Sequence, residues 1–314
     1  MSNETQALPS LLDSEVLAVG NVMCSIDQLA SPLSSSSESN YNSVMRSLYG
    51  SDFIYGSLVH KAIFRRRKSH SRGADATDEK AVPVRQRDDR SNKLLIKTST
   101  FVSTSMFNKK NQQMCYVELF SPTSSGGFRI TTFSLAGREA VTGRVPVPLR
   151  RKLHRLHPIS TWFSAEPIGS GVHIVFRTRF HRSESDGLCS PKVINARLWK
   201  IVQGVYKLGK LVDNRAQQHC RLKSSVNHVA ASGPRNSRCI VCTRTLCHIF
   251  MTRSCRRCEL CSYNVCNECC SPQHVTISNR HIAPLLVCAR CRESVAREDF
   301  DSQLRAVYPG SVST

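Results

Sequence analysis

Residues 255 to 270 read CRRCELCSYNVCNECC, six cysteines in sixteen positions, and no other stretch limits the fold of this chain so severely. Two cysteines in a C-x-x-C step form a tight turn that aims both sulfurs at one ion. Four thiolates close a tetrahedral structural zinc site with no open position. The chain also supplies Cys239/Cys242 upstream, Cys266/Cys269 inside the stretch and Cys288/Cys291 downstream. With one pair drawn from Cys255, Cys258 and Cys261, these make four pairs and so two sites. Spacing leaves that pair open between Cys255/Cys258 and Cys258/Cys261, and it leaves open a sequential ligation that uses Cys247 or Cys255. A disulfide cluster is the competing reading. The start, MSNETQALPSLLDSEV, has no basic opening and no sustained apolar run, which points to a reducing, cytoplasmic or nuclear compartment where dense cysteines serve metals.

Eleven of the fifteen cysteines fall between Cys239 and Cys291, which marks a compact C-terminal module. The polar segment KSSVNHVAASGPRNS precedes it and reads as a linker. Boundaries follow: a first domain over 14–220, a linker over 221–237, a zinc finger over 238–295 and a tail over 296–314. Further upstream, SPLSSSSESN reads as a polar break. The charged run FRRRKSHSRGADATDEKAVPVRQRDDRSN reads as a solvated loop, its RRRK resembling a nuclear-import cluster.

Between these breaks lie strand-like runs: NKLLIKTST, QQMCYVELF, GGFRITTFSLAG, ISTWFSAEP and GVHIVFRTRF. In the last, Val172, Ile174, Phe176 and Phe180 alternate with His173, Arg177, Arg179 and His181, so one face is buried and one wet. The period then changes. Ile194, Leu198, Ile201, Val202, Val205, Leu208 and Val212 form one apolar stripe of a long helix, with Lys200, Lys207 and Lys210 facing away. Ser190 before Pro191 is its expected N-cap. A half-wet antiparallel sheet and a helix with one apolar stripe should pack on each other, an α+β fold.

The run C-E-L-C-S-Y-N-V-C-N-E-C (258 to 269) resembles the FYVE zinc-finger pattern, with Ser262 where that family usually carries glycine and Leu246 where it carries a core aromatic. The resemblance implies two structural Zn2+ in an interleaved cross-brace. Cys239, Cys242, Cys266 and Cys269 would hold one ion, and Cys258, Cys261, Cys288 and Cys291 the other. It also exposes departures. The basic patch that reads inositide headgroups is here Thr252-Arg253-Ser254-Cys255-Arg256-Arg257-Cys258-Glu259, no W-x-x-D precedes Cys239, and Leu286 replaces a second arginine. Glu259 puts negative charge where a phosphate would be met, which opposes specific inositide binding. Arg253, Arg256 and Arg257 remain as a basic rim for weak contact with anionic headgroups, beside an Ile249-Phe250-Met251 wedge.

The segments LLIKTSTFVSTSMF, QMCYVELF, GGFRITTFSLAG and LHPISTWFSAEPIGSGVHIVFRTRF ahead of the long helix resemble START-like lipid-binding domains, in particular those joined to a C-terminal FYVE-type finger in a large oomycete family. That resemblance implies a helix-grip fold, a curved antiparallel sheet around a long C-terminal helix, with a lipid in the cavity between them. It also implies a partial domain, lacking a helix and several strands before residue 14, with a tunnel left open or collapsed.

The 44 Lys and Arg against 23 Asp and Glu give +21, and eight thiolates on two divalent ions remove only four of those charges. Such a basic protein favours anionic partners without naming them. The block PLRRKLHRLH offers Arg150, Arg151, Lys152 and Arg155 without interleaved aromatic platforms, which argues against nucleic-acid readout. No G-x-S-x-G, H-E-x-x-H or paired-carboxylate arrangement occurs, and Gly204 to Lys210 resembles a phosphate loop but lies within the amphipathic helix. The expectation is a non-enzymatic adaptor. It would bind lipid and associate with an anionic membrane surface or an unnamed protein partner, in the cytoplasm and at endosomal membranes. The alternative is a protein-interaction or ubiquitin-ligase-like finger whose START-like part binds no lipid.

Overall fold

The structure is a computed structural model and describes residues 14–64, 91–104, 110–135, 153–156, 158–181, 191–224, 236–246, 255–276 and 282–294. Strand β1 (Ser14–Val22) leads into helices α1 (Ile26–Leu33) and α2 (Glu38–Tyr49). Then come β2 (Phe53–Phe64), β3 (Asn92–Phe101), β4 (Gln112–Pro122), β5 (Phe128–Ser134), the two-residue β6 (His154–Arg155), β7 (Ile159–Ile168) and β8 (Gly171–Phe180). Helices α3 (Pro191–Val205) and α4 (Leu208–Ser224) close this part of the chain. The strands form one sheet in the order β1-β8-β7-β5-β4-β3-β2, each neighbour antiparallel, with β6 added in parallel to the start of β4.

The stripe of seven apolar residues expected on the C-terminal helix is buried in full, against Phe120, Phe128, Phe163 and Phe176 from the inner face of the sheet and against the lid formed by α1 and α2. This is the helix-grip arrangement. The helix, however, is not continuous. The Lys207 N–H turns back to the Gly204 carbonyl at 3.0 Å and a fresh helix starts, with the Leu211 N–H on the Lys207 carbonyl at 2.9 Å. Gly204 sits here because α2 presses on it: a Cβ would stand 2.5 Å from Cε1 of Tyr49. One stripe residue class was not foreseen. Arg197, 1% exposed, lies within the buried face, its Nε donating to Oε1 of Gln112 at 2.6 Å, its Nη2 to the Val102 carbonyl and its guanidinium over Phe101. Burial lowers its pKa to about 10, so it stays charged and cross-links helix to sheet.

One expectation is corrected. The serine-rich segment is more than a break, since Ser37 caps α2 by accepting from the Asn40 N–H, and Ser25 and Gln28 form a capping box on α1. β1 pairs along its whole length with β8, and a cavity lies beneath the lid. Ser14–Val22 and Ile26–Tyr49 thus supply a strand and two helices that composition alone had not marked. The 221–237 linker also begins inside α4, which runs to Ser224. Ser190, the RRRK cluster, Arg150, Arg151, Lys152, Arg253, Cys247 and the Ile249-Phe250-Met251 wedge lie outside the described residues; Arg155 is exposed on β6.

The C-terminal module is built from two small antiparallel pairs, β9 (Cys255–Arg257) with β10 (Asn264–Cys266) and β11 (Cys270–Thr276) with β12 (Ile282–Cys288). It does not stand apart. Ile54 and Tyr55 of the edge strand β2 share a core with Ile240, Val241, Leu246 and Val265 of the module. Tyr55 meets Tyr263 edge-on at 5.0 Å, and the Arg290 guanidinium lies 4.2 Å over the Tyr55 ring while donating to Oγ of Ser57. Arg46 of α2 lies over Tyr263, and Nδ2 of Asn111 donates to the Thr243 carbonyl at 3.3 Å. An edge strand exposes unpaired backbone and apolar side chains, and here the finger covers part of it.

Candidate metal centres and internal cavity

Each metal centre begins with a knuckle that the backbone builds twice in the same way. The Thr243 N–H donates to the Cys239 carbonyl at 2.8 Å and the Ser262 N–H to the Cys258 carbonyl at 2.8 Å. The Cys239 N–H then donates to the Arg244 carbonyl, and the Cys258 N–H to the Tyr263 carbonyl. Thr243 and Ser262 both take a positive φ, 63° and 60°, which explains why glycine suits the position that Ser262 holds. The knuckle therefore lies at Cys258/Cys261 rather than Cys255/Cys258.

The structure gathers the eight sulfurs into two groups: Cys239, Cys242, Cys266 and Cys269, and Cys258, Cys261, Cys288 and Cys291. Within each group all four sulfurs lie within 4.8 Å of one another. The Cys242–Cys266 and Cys261–Cys288 sulfurs stand 3.5 and 3.9 Å apart. A tetrahedron with Zn–S bonds of about 2.3 Å has edges of about 3.8 Å, so the groups fit zinc in size as well as in donor type. The thiols of Cys239 and Cys258 are pulled below their ordinary pKa, chiefly by hydrogen bonds from Cys242 and Cys261 respectively, as converging sulfurs require. The Cys288 N–H adds a donor to Sγ of Cys258 at 3.3 Å. Two structural zinc ions suit these sites, which are all-cysteine and closed, and the pairs interleave so that each ion ties distant segments together.

The surplus cysteines flank the sites. Cys255 is exposed on β9 opposite the ligand-set member Cys266, and Cys270 on β11 stands opposite Cys288. Burial, with the nearby Cys258 and Cys288 sulfurs adding to it, pushes the Cys270 thiol up to about 11. Cys255→Ser and Cys270→Ser should each retain two zinc ions per chain by metal quantification, whereas Cys239→Ser and Cys258→Ser should each lose at least one. Zinc loss in Cys255→Ser would move the register.

The sequence-proposed headgroup residues fare differently. Arg256 and Arg257 are exposed on β9, with Nε of Arg256 donating to Oδ1 of Asn267 and Nε of Arg257 to the Ser262 carbonyl, both at 3.2 Å. Glu259 clasps β12: its N–H donates to the Leu286 carbonyl at 2.9 Å and its carboxylate accepts from the Leu286 N–H. Two of the positions that depart from the FYVE pattern thus meet and satisfy each other's polar groups.

Between sheet and helices lies a cavity of about 140 Å³, its wall mostly apolar, from Leu33 and Leu48 of the lid to Phe163, Ile201 and Leu208. Its polar side is made by Ser99, Tyr116 and Glu118, with Thr132 and Thr161 nearby. The Tyr41, Ser99 and Tyr116 hydroxyls form one cluster, with Tyr41 Oη 2.5 Å from Ser99 Oγ and 2.7 Å from Tyr116 Oη. Burial holds both phenols well above their ordinary pKa, so they remain protonated and able to donate. Glu118 is neutralised by Lys97 at 2.6 Å, a pair buried on both sides. Sequence reading singled out none of these groups; a lysine and a glutamate on neighbouring strands, 21 residues apart in the chain, carry no local signal.

No protein-family model and no curated protein matches the chain. Among solved structures, a STAR-related lipid transfer protein from Xanthomonas axonopodis is similar at 11% identity and a TM-score of 0.40, covering 63% of this chain and 85% of that one. Human StAR-related lipid transfer protein 5 gives 12%, 0.40, 64% and 76%. A major latex-like protein from Panax ginseng gives 7%, 0.33, 63% and 97%. The topology described above is a helix-grip arrangement, one antiparallel sheet packed on C-terminal helices, followed by a small cysteine-rich finger. No helix among the described residues is long and apolar enough to cross a membrane.

Proposed function

We propose that this chain is a non-enzymatic, cytoplasmic binding protein that takes an apolar ligand with one neutral polar head into its helix-grip cavity, with a FYVE-type finger that does not read inositide headgroups. The cavity carries the reading: an apolar chamber with one hydroxyl-rich side whose only carboxylate is already paired. A neutral hydroxyl or carbonyl can trade hydrogen bonds with Tyr116 and Ser99, whereas a charged head would have to break the Lys97–Glu118 pair. At about 140 Å³ the chamber resembles apolar cavities of about 150 Å³ that admit benzene, so a lipid-sized ligand must displace the lid of α1 and α2 or part its seam with α3.

The same small volume favours a second reading, in which the cavity stays closed and the protein acts only through its finger in protein association. Organic extraction and mass spectrometry of the zinc-loaded protein decide between them. A stoichiometric neutral lipid, with uptake of a fluorescent sterol or acylglycerol but not of a fatty acid, is the expected result; no extracted lipid and no uptake would favour the second. On vesicles, the Glu259–Leu286 clasp supports equal binding with and without phosphatidylinositol 3-phosphate, weakened by salt.

A further inference from the structure

The outer face of the sheet, away from the cavity, should be polar where it meets water, yet here exposed apolar residues stand among the polar ones. In register across the strands stand Leu17, Arg177, Trp162, Thr131, Leu119 and Leu94, each the antiparallel partner of the next. Leu17 is 57% exposed, and Phe133 one row away is 52% exposed, with Val19 and Leu119 also open. Single exposed apolar residues are ordinary, whereas several aligned on one face mark an interaction surface. At the β1–β8–β7 end this face deepens into a groove of about 550 Å³, with Leu17, Trp162 and Val175 in its walls and Arg177, Arg179 and His181 among them.

We infer that this groove docks an acidic, amphipathic segment of a partner protein, its apolar side chains against Leu17, Trp162 and Phe133 and its carboxylates towards the arginines. Charge fixes the sign of the occupant. Arg129, Arg177 and Arg179 share this face with two carboxylates: Glu15 holds Arg177 through two hydrogen bonds of 2.7 Å, and Glu166 accepts from the hydroxyls of Thr123 and Ser125, so positive charge is in excess here. A second copy of a +21 chain would bring like arginines together. A single-stranded nucleic acid needs open aromatic faces for its bases. Among Phe, Tyr and Trp only Trp162 is in the groove lining, so successive bases would find no row of ring faces to stack on. A bilayer presents a plane to a recessed groove.

Selection of a random-peptide library on the full zinc-loaded protein tests this. Enriched peptides should carry spaced Leu or Phe between Asp and Glu. Their affinity should fall about tenfold or more in the Leu17→Thr/Phe133→Thr double variant, the loss expected when an apolar anchor is removed. Both positions are exposed, so zinc content and melting temperature should not change. Arg129→Gln, a milder probe, should weaken acidic peptides while sparing their Glu→Gln counterparts. Enriched peptides without acidic bias, or binding that the variants leave intact, would overturn the assignment. So would a dimer, or phosphatidylserine-vesicle binding, that the double variant abolishes.

Discussion

Stripping zinc from this protein is expected to loosen the sheet-and-helix half as well as the finger. Among the described residues, eight sulfurs, two short strand pairs and a small apolar cluster organise the C-terminal module, which is too small to hold itself by burial alone. Structural zinc supplies on the order of 10–16 kcal/mol in such modules, so chelation or Cys258→Ser should unfold it. Its core is shared, however. Ile54 and Tyr55 of β2 are buried with Val241 and Val265, and Arg290 bridges Tyr55, Ser57 and the Ile240 carbonyl. Re-exposing the two β2 side chains costs about 3 kcal/mol or more, roughly a hundredfold in the local opening equilibrium. Hydrogen exchange reads this directly. Amides of Phe53–Ser57 should lose protection with the finger, while those of the β7–β8 hairpin, which lies across the sheet, should keep most of theirs. Unchanged exchange in β2 would mean that the two halves are thermodynamically separate.

The same shared core explains what the sequence concealed. β8 was legible because it has one buried and one wet face, so Val172, Ile174 and Phe176 alternate with His173, Val175 and Arg177. β2 was not, because Phe53, Ile54, Tyr55, Gly56 and Ser57 are buried in succession. Elements on both sides of this strand cover it: Asn42 of α2 bonds the Gly56 backbone, while the finger seals Ser57. Period-two reasoning has nothing to read there, and two register shifts within β2 blur it further. The cysteine pairs sit at the opposite extreme. Their chemistry needs a local spacing, so the sequence displays it; the Cys258/Cys261 register, open on spacing alone, is settled by the backbone turn at Ser262. Helices α1 and α2 hid behind serines that serve as caps. The Lys97–Glu118 pair, joined only by the β3–β4 register, has no signature along the chain at all.

That pair gives the other large effect. Lys97→Met removes the cation from a carboxylate that is almost wholly enclosed, and it also takes the ammonium from above the Tyr41 ring, 4.8 Å away. An isolated buried charge costs about 3–5 kcal/mol, so the urea midpoint of the zinc-loaded protein should fall accordingly. Adding Glu118→Leu should return most of the loss, because two apolar side chains replace a pair whose attraction mainly repaid its own desolvation. If the double variant is no better than the single one, the pair is holding more than itself, and the Tyr41–Ser99–Tyr116 cluster beside it is the place to look. The recovered variant then becomes a probe of function. Glu118 lines the cavity, and its replacement leaves hydroxyls as the polar lining, those of Tyr116, Ser99, Thr132 and Thr161 among them. A ligand recognised through those hydroxyls should still bind within a few-fold. One that needs the carboxylate as acceptor should lose about tenfold or more, the worth of a hydrogen bond to a charged group.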